Sequence, residues 1–381
     1  MKNIKLYIKQ LNNQYEIFVV ENGCVAEYYQ EESSKKRIEE NIYLAKVKDV
    51  LKGMNACFID IGEDKNALLH IKEMIPKQSD ITGNEQIDLK KYDINKLTKV
   101  GDEILVQIKK DSSSMKGAKA TKDIKLTGKY VILMPYSNFV TISKKIEDQK
   151  EKTRLTRVAN KIAEENNNEY GIIIRTSSQN QEKKTIEKDF EELKKKWNEI
   201  LKKSKTSKAP SKLYDNNGMI GKLIKDFSPY DLHVFTNDTV VESFVKSIDE
   251  NIDTQISNIN LEIRKSRKIW LNCGGFITID PTEALIAIDV NSGKFTGKKE
   301  LKDTILKVNL EAAKEIARQI RLQDLGGMIL IDFIDMETDE ERKEVKRTFE
   351  ECVKADRSKV QVLEFTELGL LEVTRKHIFG K

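Results

Sequence analysis

The sequence predicts a multidomain chain of the α/β (α+β) class, on three observations. At 381 residues and 39% hydrophobic content the chain is long enough for more than one core. Its first third breaks into short apolar runs of period two, punctuated by glycines. Its last third alternates apolar strand-like runs with amphipathic helical ones. Charged residues make up 34% and the net charge is only +5. Such a surface suits a nucleic-acid partner without establishing one.

Several function classes are disfavoured at once. No run of about 18 apolar residues is present, so no membrane span is expected. The opening MKNIKLYIKQLNNQYEIFVV lacks the apolar core of a signal peptide, and a cytoplasmic protein is expected. Cys24, Cys57, Cys273 and Cys352 form no CxxC pair and sit in apolar contexts, which predicts buried, reduced thiols. His70, His233 and His377 are scattered, against a zinc hydrolase or a serine–histidine–aspartate triad. Any chemistry should then run on carboxylates, lysines or a hard metal ion.

Along the chain, alternation at Ile4, Leu6 and Ile8 followed by YEIFVVENG predicts a hairpin or meander over 1–38. Short strands with turns at Lys52-Gly53 and Gly62-Glu63-Asp64, a structureless polar loop at 77–97, and a strand in KVGDEILVQIKKD together predict a small closed β-barrel. Residues 125–147 suggest two strands, followed by a polar helix and a buried strand, YGIIIRTSSQN. Ile186, Phe190, Leu193, Trp197 and Ile200 fall at helical spacing. The lysine-rich tract 202–211 has the composition of a linker. Helix and strand alternate over 212–268. From 269 the pattern is β-β-α-β-α-β: strands in KIWLNCGGFITIDPTEALIAIDVNSG, a helix stopped by Gly326-Gly327, strand MILIDFIDM, a charged helix at 338–355, strand VQVLEF and a short tail.

Two of these strands end in aspartate, LIAIDVNSG at Asp289 and MILIDFIDM at Asp332. Strand ends are where α/β folds gather ligand-binding groups. If the strands are neighbours, two carboxylates meet and repel, and a hard divalent cation such as Mg²⁺, or Mn²⁺ in its place, removes the repulsion. Asn291 points to the same side. A strand-end aspartate also serves as a turn or helix cap, so both readings stand at this point. Asp335 and Asp280 are weaker candidates, Asp280 being better read as a turn residue before Pro281. In the barrel, Phe58 and Tyr43 offer stacking faces, and Lys110 and Lys116, flanking Ser112-Ser113-Ser114, offer charge to phosphates. The competing role for Phe58 is as a core residue of its strand. Arg175-Thr176 pairs a guanidinium fork with a hydroxyl, a combination that grips terminal phosphates, though a surface arginine would look the same.

Taken together, IDVNSG, NLEAAKEIARQIRLQDLGGMILIDFIDM and LGLLEVTRK resemble the catalytic-domain pattern of the RNase E/G family of endoribonucleases. The resemblance implies that Asp289 and Asp332 coordinate a catalytic Mg²⁺ and that Asn291 assists them. It implies an RNase H-like subdomain split into 1–38 and 215–268, with an S1 (OB-fold) RNA-binding barrel, 39–124, inserted in it. A 5′-sensor region, 125–214, and a DNase I-like catalytic subdomain, 269–381, follow. By the same resemblance Arg175 and Thr176, with Gly128 and Ile132, hold the 5′-monophosphate of the RNA. Phe58 is the aromatic of the S1 surface, Leu68 replaces its second aromatic, and Lys116 is a lysine that contacts RNA. The sequence ends at Phe379-Gly380-Lys381, before the family's CPxC zinc-link motif, so no structural zinc is expected and a homodimer would need another route.

The function so implied is Mg²⁺-dependent cleavage of A/U-rich single-stranded RNA, with a preference for 5′-monophosphorylated ends, in ribosomal RNA processing and messenger RNA decay. Its competitor is a non-catalytic RNA-binding protein that keeps only the S1 barrel. A DNA-directed nuclease fits less well, because barrel and sensor both point to RNA.

Overall fold

The computed structural model describes residues 3–33, 37–75, 92–112, 116–263, 265–293 and 301–379. The chain divides into two compact units. One is built from Ser34–Leu232, the other from Lys2–Ser33 with His233–Lys381.

The second unit opens with an antiparallel meander, β1 (Asn3–Leu11), β2 (Gln14–Glu21) and β3 (Cys24–Glu32). Its second turn is Asn22-Gly23, both at positive φ, as a tight hairpin demands. Ile4, Leu6 and Ile8 are fully buried on one face.

In the first unit, β4 (Ile42–Leu51), β5 (Ala56–Asp60), β6 (Ala67–His70), β7 (Glu103–Lys110) and β8 (Lys119–Thr121) pair in the order β4-β5-β6-β8-β7. The closing β7–β4 pairing makes a five-stranded barrel without free edges. Tyr43, Val47, Ile59, Leu69 and Val106 fill it. Most of the expected 77–97 loop lies outside the described residues, but Ile94–Leu97 is a short helix, α1, capped by Asp93. Three strands, not two, follow: β9 (Leu126–Thr127), β10 (Val131–Met134) and β11 (Val140–Ile142). With β12 (Gly171–Ile174) they form a sheet in the order β11-β12-β10-β9, packed on helices α2 (Gln149–Glu165) and α3 (Lys183–Thr206). The helical stripe Ile186, Phe190, Leu193, Trp197 and Ile200 is buried in that core. The tract 202–211 is not a linker. Helix α3 runs through Thr206, and Ser211 opens β13 (Ser211–Tyr214), which pairs with β4. Helix α4 (Gly218–Phe227) ends this unit.

The chain then adds β14 (Asp231–Thr236), α5 (Thr239–Ile248) and β15 (Asp253–Ile256), extending the N-terminal meander to a sheet ordered β15-β14-β1-β2-β3. The last region is β16 (Lys268–Trp270), β17 (Phe276–Pro281), β18 (Leu285–Asn291), α6 (Leu301–Leu322), β19 (Gly327–Asp332), α7 (Asp339–Val353), β20 (Val360–Phe365) and β21 (Leu370–Arg375). Its sheet runs β16-β17-β18-β19-β21-β20. One face packs against α6 and α7 through Ile277, Ile288, Val308, Ile316, Ile331 and Phe349. The short tail expected after VQVLEF instead contains a strand: β21 lies between β19 and β20, held by the buried Arg375, which donates to Asp356 Oδ2 and Asp324 Oδ1 at 2.7 Å each. The thiol expectation needs correcting too. Cys57 is buried, Cys273 and Cys352 are half-buried, and Cys24 is exposed. Among the described residues no helix is long and apolar enough to cross a membrane.

Candidate active site

The β18–β19 pair sets the first site. In β18, Ile286, Ile288 and Val290 turn into the core, which puts Ala287, Asp289 and Asn291 on the opposite face. In β19, Ile329 and Ile331 turn in and Asp332 turns out. The two strands are parallel, and Asp289 is the register partner of Asp332. Adjacent strands lie about 4.8 Å apart, so the two carboxylates stand side by side at one row of the sheet. They differ in environment. Asp332 has its pKa raised, first by desolvation, then by the negative charges of Asp289 and Asp335. Asp289 accepts a 2.6 Å hydrogen bond from Asn291 Nδ2, which fixes its orientation. Thr278 of β17 is opposite Asp289 and Phe276 is opposite Asn291, so both flank the pair. Asp280, by contrast, is taken up by a surface ion pair with Arg267, whose Nη2 donates at 2.9 Å.

The donor set is carboxylate and amide oxygens, open on one side. It suits a hard cation that keeps several waters rather than a closed protein cage. Among the described residues no group of three or more His, Cys, Asp or Glu side chains is gathered for a metal. Two carboxylates forced into register, with one already biased toward its protonated form, fit a divalent cation that would relieve their repulsion.

The phosphate-gripping candidates converge in the first unit. Strand β12 delivers Arg175 at its end. The Arg175 guanidinium donates to the carbonyl of Gly128 and, through Nη2, to Asp226 Oδ1 at 2.9 Å. Thr176 Oγ1 lies 2.8 Å from Ser143 Oγ. Gly128 has no room for a side chain, since a Cβ there would meet Asp189 Oδ2 at 2.5 Å. That carboxylate accepts from the backbone N–H groups of Lys129, Tyr130 and Val131 at 2.7–3.0 Å. Ile132 is in the same sheet, paired with Ile173 and Thr127.

On the barrel, Phe58 is not a core residue: it faces outward from β5, half-buried. Tyr43, named with it as a stacking face, cannot serve, because it is 1% exposed inside the barrel. The pairing Phe58–Leu68, Leu68–Lys119 and Lys119–Lys110 puts these four residues on one row around the barrel. Lys119 was missed because β8 is too short to show a period in the sequence. Lys110 and Lys116 are exposed. Of the serine loop, residues 113–115 lie outside the described residues. The three histidines stay apart in local structural roles: His70 caps a turn at Lys72 N, His233 pairs with Asp253, and His377 bonds the Asp324 carbonyl.

The comparisons with known proteins agree with one another. A model of the ribonuclease E/G family matches residues 125–378. Ribonuclease G of Escherichia coli K12 is 33% identical over 391 residues, spanning 98% of this chain and 79% of the relative. Ribonuclease G of Haemophilus influenzae is 32% identical, spanning 99% and 80%. Ribonuclease E of a Nostoc species is 33% identical over 88% of this chain and 51% of the relative. On that coverage the chain belongs to the ribonuclease E/G family, a family of endoribonucleases.

Proposed function

We propose that the chain hydrolyses internal phosphodiester bonds of A/U-rich single-stranded RNA at Asp289 and Asp332, with Mg²⁺ as cofactor and Mn²⁺ as a substitute. The observation that carries this reading is the register pairing of the two aspartates on one open sheet face. Asp289 and Asp332 would hold the cation. When bound, it supplies charge for the phosphate oxygens and lowers the pKa of a water. The chain's own residues do the rest. Asn291 holds the Asp289 carboxylate in one orientation through its amide hydrogen bond. Asp332, its register partner on the neighbouring strand, presents the second carboxylate to the same point. The water oxygen forms the new bond to phosphorus as the P–O3′ bond breaks, so the products carry a 5′-phosphate and a 3′-hydroxyl.

Under this reading the barrel at 39–124 is an S1 domain. Phe58 stacks a base, and Lys110, Lys116 and Lys119 meet phosphates. Residues 125–214 form the 5′-sensor, in which Arg175, Thr176, Gly128 and Ile132 receive a 5′-monophosphate. Asp226 holds the Arg175 fork until a phosphate takes its place. Residues 1–38 with 215–268 form the RNase H-like subdomain, and 269–381 the DNase I-like catalytic one. The protein would act in the cytoplasm, in ribosomal RNA processing and messenger RNA decay.

The test is cleavage of a short, A/U-rich, 5′-monophosphorylated RNA with and without Mg²⁺, against the Asp289→Asn/Asp332→Asn double variant. Internal cleavage that needs metal, and a folded variant that binds RNA without cutting it, are the expected results. A wild-type protein that binds RNA with metal present and never cuts it would replace this reading by that of an RNA-binding relative.

A further inference from the structure

The open face beside Asp289 carries aromatic surface that the proposed hydrolysis does not use. Trp270 on the edge strand β16 is 62% exposed, although Trp is a side chain that folds usually bury. Its register partner on β17 is Phe276, with ring centroids 5.3 Å apart. Lys268, two residues before Trp270 and on the same face, holds its Nζ 3.6 Å from the Phe276 centroid and 4.3 Å from that of Trp270. Their neighbours Ile269 and Leu271 point the other way, into the core.

Register ties this group to the carboxylates. One row across the sheet reads Lys268, Thr278, Asp289, Asp332, and the next reads Trp270, Phe276, Asn291. With strands about 4.8 Å apart, Trp270 stands roughly 10 Å from Asn291. A nucleotide of an extended strand covers a distance of the same order. Aromatic faces with a cation between them are the construction that takes unpaired bases and their phosphates.

Resting on the endoribonuclease reading above, we propose that Trp270 and Phe276, with Lys268, form a ledge that stacks an unpaired nucleobase one or two nucleotides from the bond cut at Asp289 and Asp332. The ledge positions the strand there and makes cleavage depend on a base at that one position. The bland alternative is a cross-strand aromatic pair that only fastens the short edge strand β16. That role needs Trp270 packed against its neighbours, whereas most of its surface faces solvent.

The molecule supplies its own probe. Its other tryptophan, Trp197, is 3% exposed in the other unit, so Trp270 is the one a base can touch. The experiment has two readouts on the full chain. The first is tryptophan emission on titration with a 5′-monophosphorylated A/U decamer under chelator. The second is kcat/KM, with Mg²⁺, for decamers carrying a single abasic site moved along the strand. Quenching in the wild type that disappears in Trp270→Phe is expected. So is a loss of about 10-fold or more at one abasic position near the cut. Trp270→Ala should lose a similar factor on intact RNA and nothing further at that position.

An absence of quenching at saturating RNA would overturn the proposal, as would abasic and Trp270→Ala losses that simply multiply. If Trp270→Ala does not fold, quenching and the abasic scan on the wild type still decide. If the wild type cuts no RNA at all, the endoribonuclease reading falls while quenching still judges the ledge. Emission that shifts to the blue with protein concentration, and ignores RNA, would assign the face to a second copy of the chain and refute the ledge.

Discussion

Asp289 and Asp332 cannot relax away from each other, because each is fixed by its strand's pairing and by buried neighbours on either side, Ile288 and Val290 for the one, Ile331 and Phe333 for the other. Their repulsion is therefore built into the folded state, and a substitution that removes one charge should cost activity without costing stability. Asp332→Asn is expected to lower kcat/KM by at least about 10²-fold, with a thermal midpoint equal to or above that of the wild type. Melting and single-turnover cleavage measured on one preparation check both halves, and a lower midpoint would mean that Asp332 has a structural partner. Gly128 is the opposite case. A methyl group there collides with the Asp189 carboxylate, whose three backbone bonds shape the loop before β10. Gly128→Ala should destabilise the first unit by about 1–3 kcal/mol, measurable by urea unfolding followed at Trp197. The carboxylate pair was legible in the sequence, because two apolar runs each ended in aspartate. Asp189 was not: it sits on a polar stretch of α3 and gains its role only when the loop folds onto it.

Helices and strands show where local pattern carries the fold and where it does not. Period-two and period-3.6 signals located β1, β2 and α3, and continuous apolar runs located β18 and β19, because each buries one face against a core. Strand β21 was hidden, since its inward set Leu371, Val373, Arg375 ends in a charge. That charge is satisfied by Asp324, Asp356 and the Leu325 carbonyl, brought from two other segments. Arg375→Ala would strand both carboxylates in the interior and should cost about 3–5 kcal/mol. A loss below about 1 kcal/mol in equilibrium unfolding would contradict this account of the strand. Helix α2 depends on pH in a defined direction. Glu151 is held down to a pKa of about 2, first by hydrogen bonds from Arg154, and it also accepts from Asn180 N. A carboxyl whose folded pKa lies below its unfolded value stabilises fully above the unfolded value, near 4.5, and loses that contribution as pH falls toward 2. The protection of the Asn180 amide relative to its intrinsic exchange rate should therefore fall between those limits, and Glu151→Gln should remove that pH dependence.

At the scale of the whole molecule, the 5′-phosphate candidates and the carboxylate pair belong to different compact units. Their contributions to cleavage can then be separated by substitution. Arg175 places its fork on Gly128 and Asp226, so a 5′-phosphate bound there would have to compete with Asp226 for Nη2. Charge-assisted hydrogen bonds of this kind are worth about 1.5–3 kcal/mol. Arg175→Ala is accordingly expected to shrink the preference for 5′-monophosphorylated over 5′-hydroxyl RNA by about 10-fold or more, chiefly through KM. Arg175→Lys should fail to restore it, because a point charge cannot hold two partners at once. Asp226→Asn should act in the other direction, freeing the guanidinium and lowering KM for the phosphorylated substrate alone. Asp332→Asn, by contrast, should depress cleavage of both substrates by the same factor and leave their ratio intact. Steady-state kinetics on the matched RNA pair decides between these patterns. If Arg175→Ala slowed both substrates equally, Arg175 would be a structural arginine, and the sensor role would have to move to other groups on that sheet.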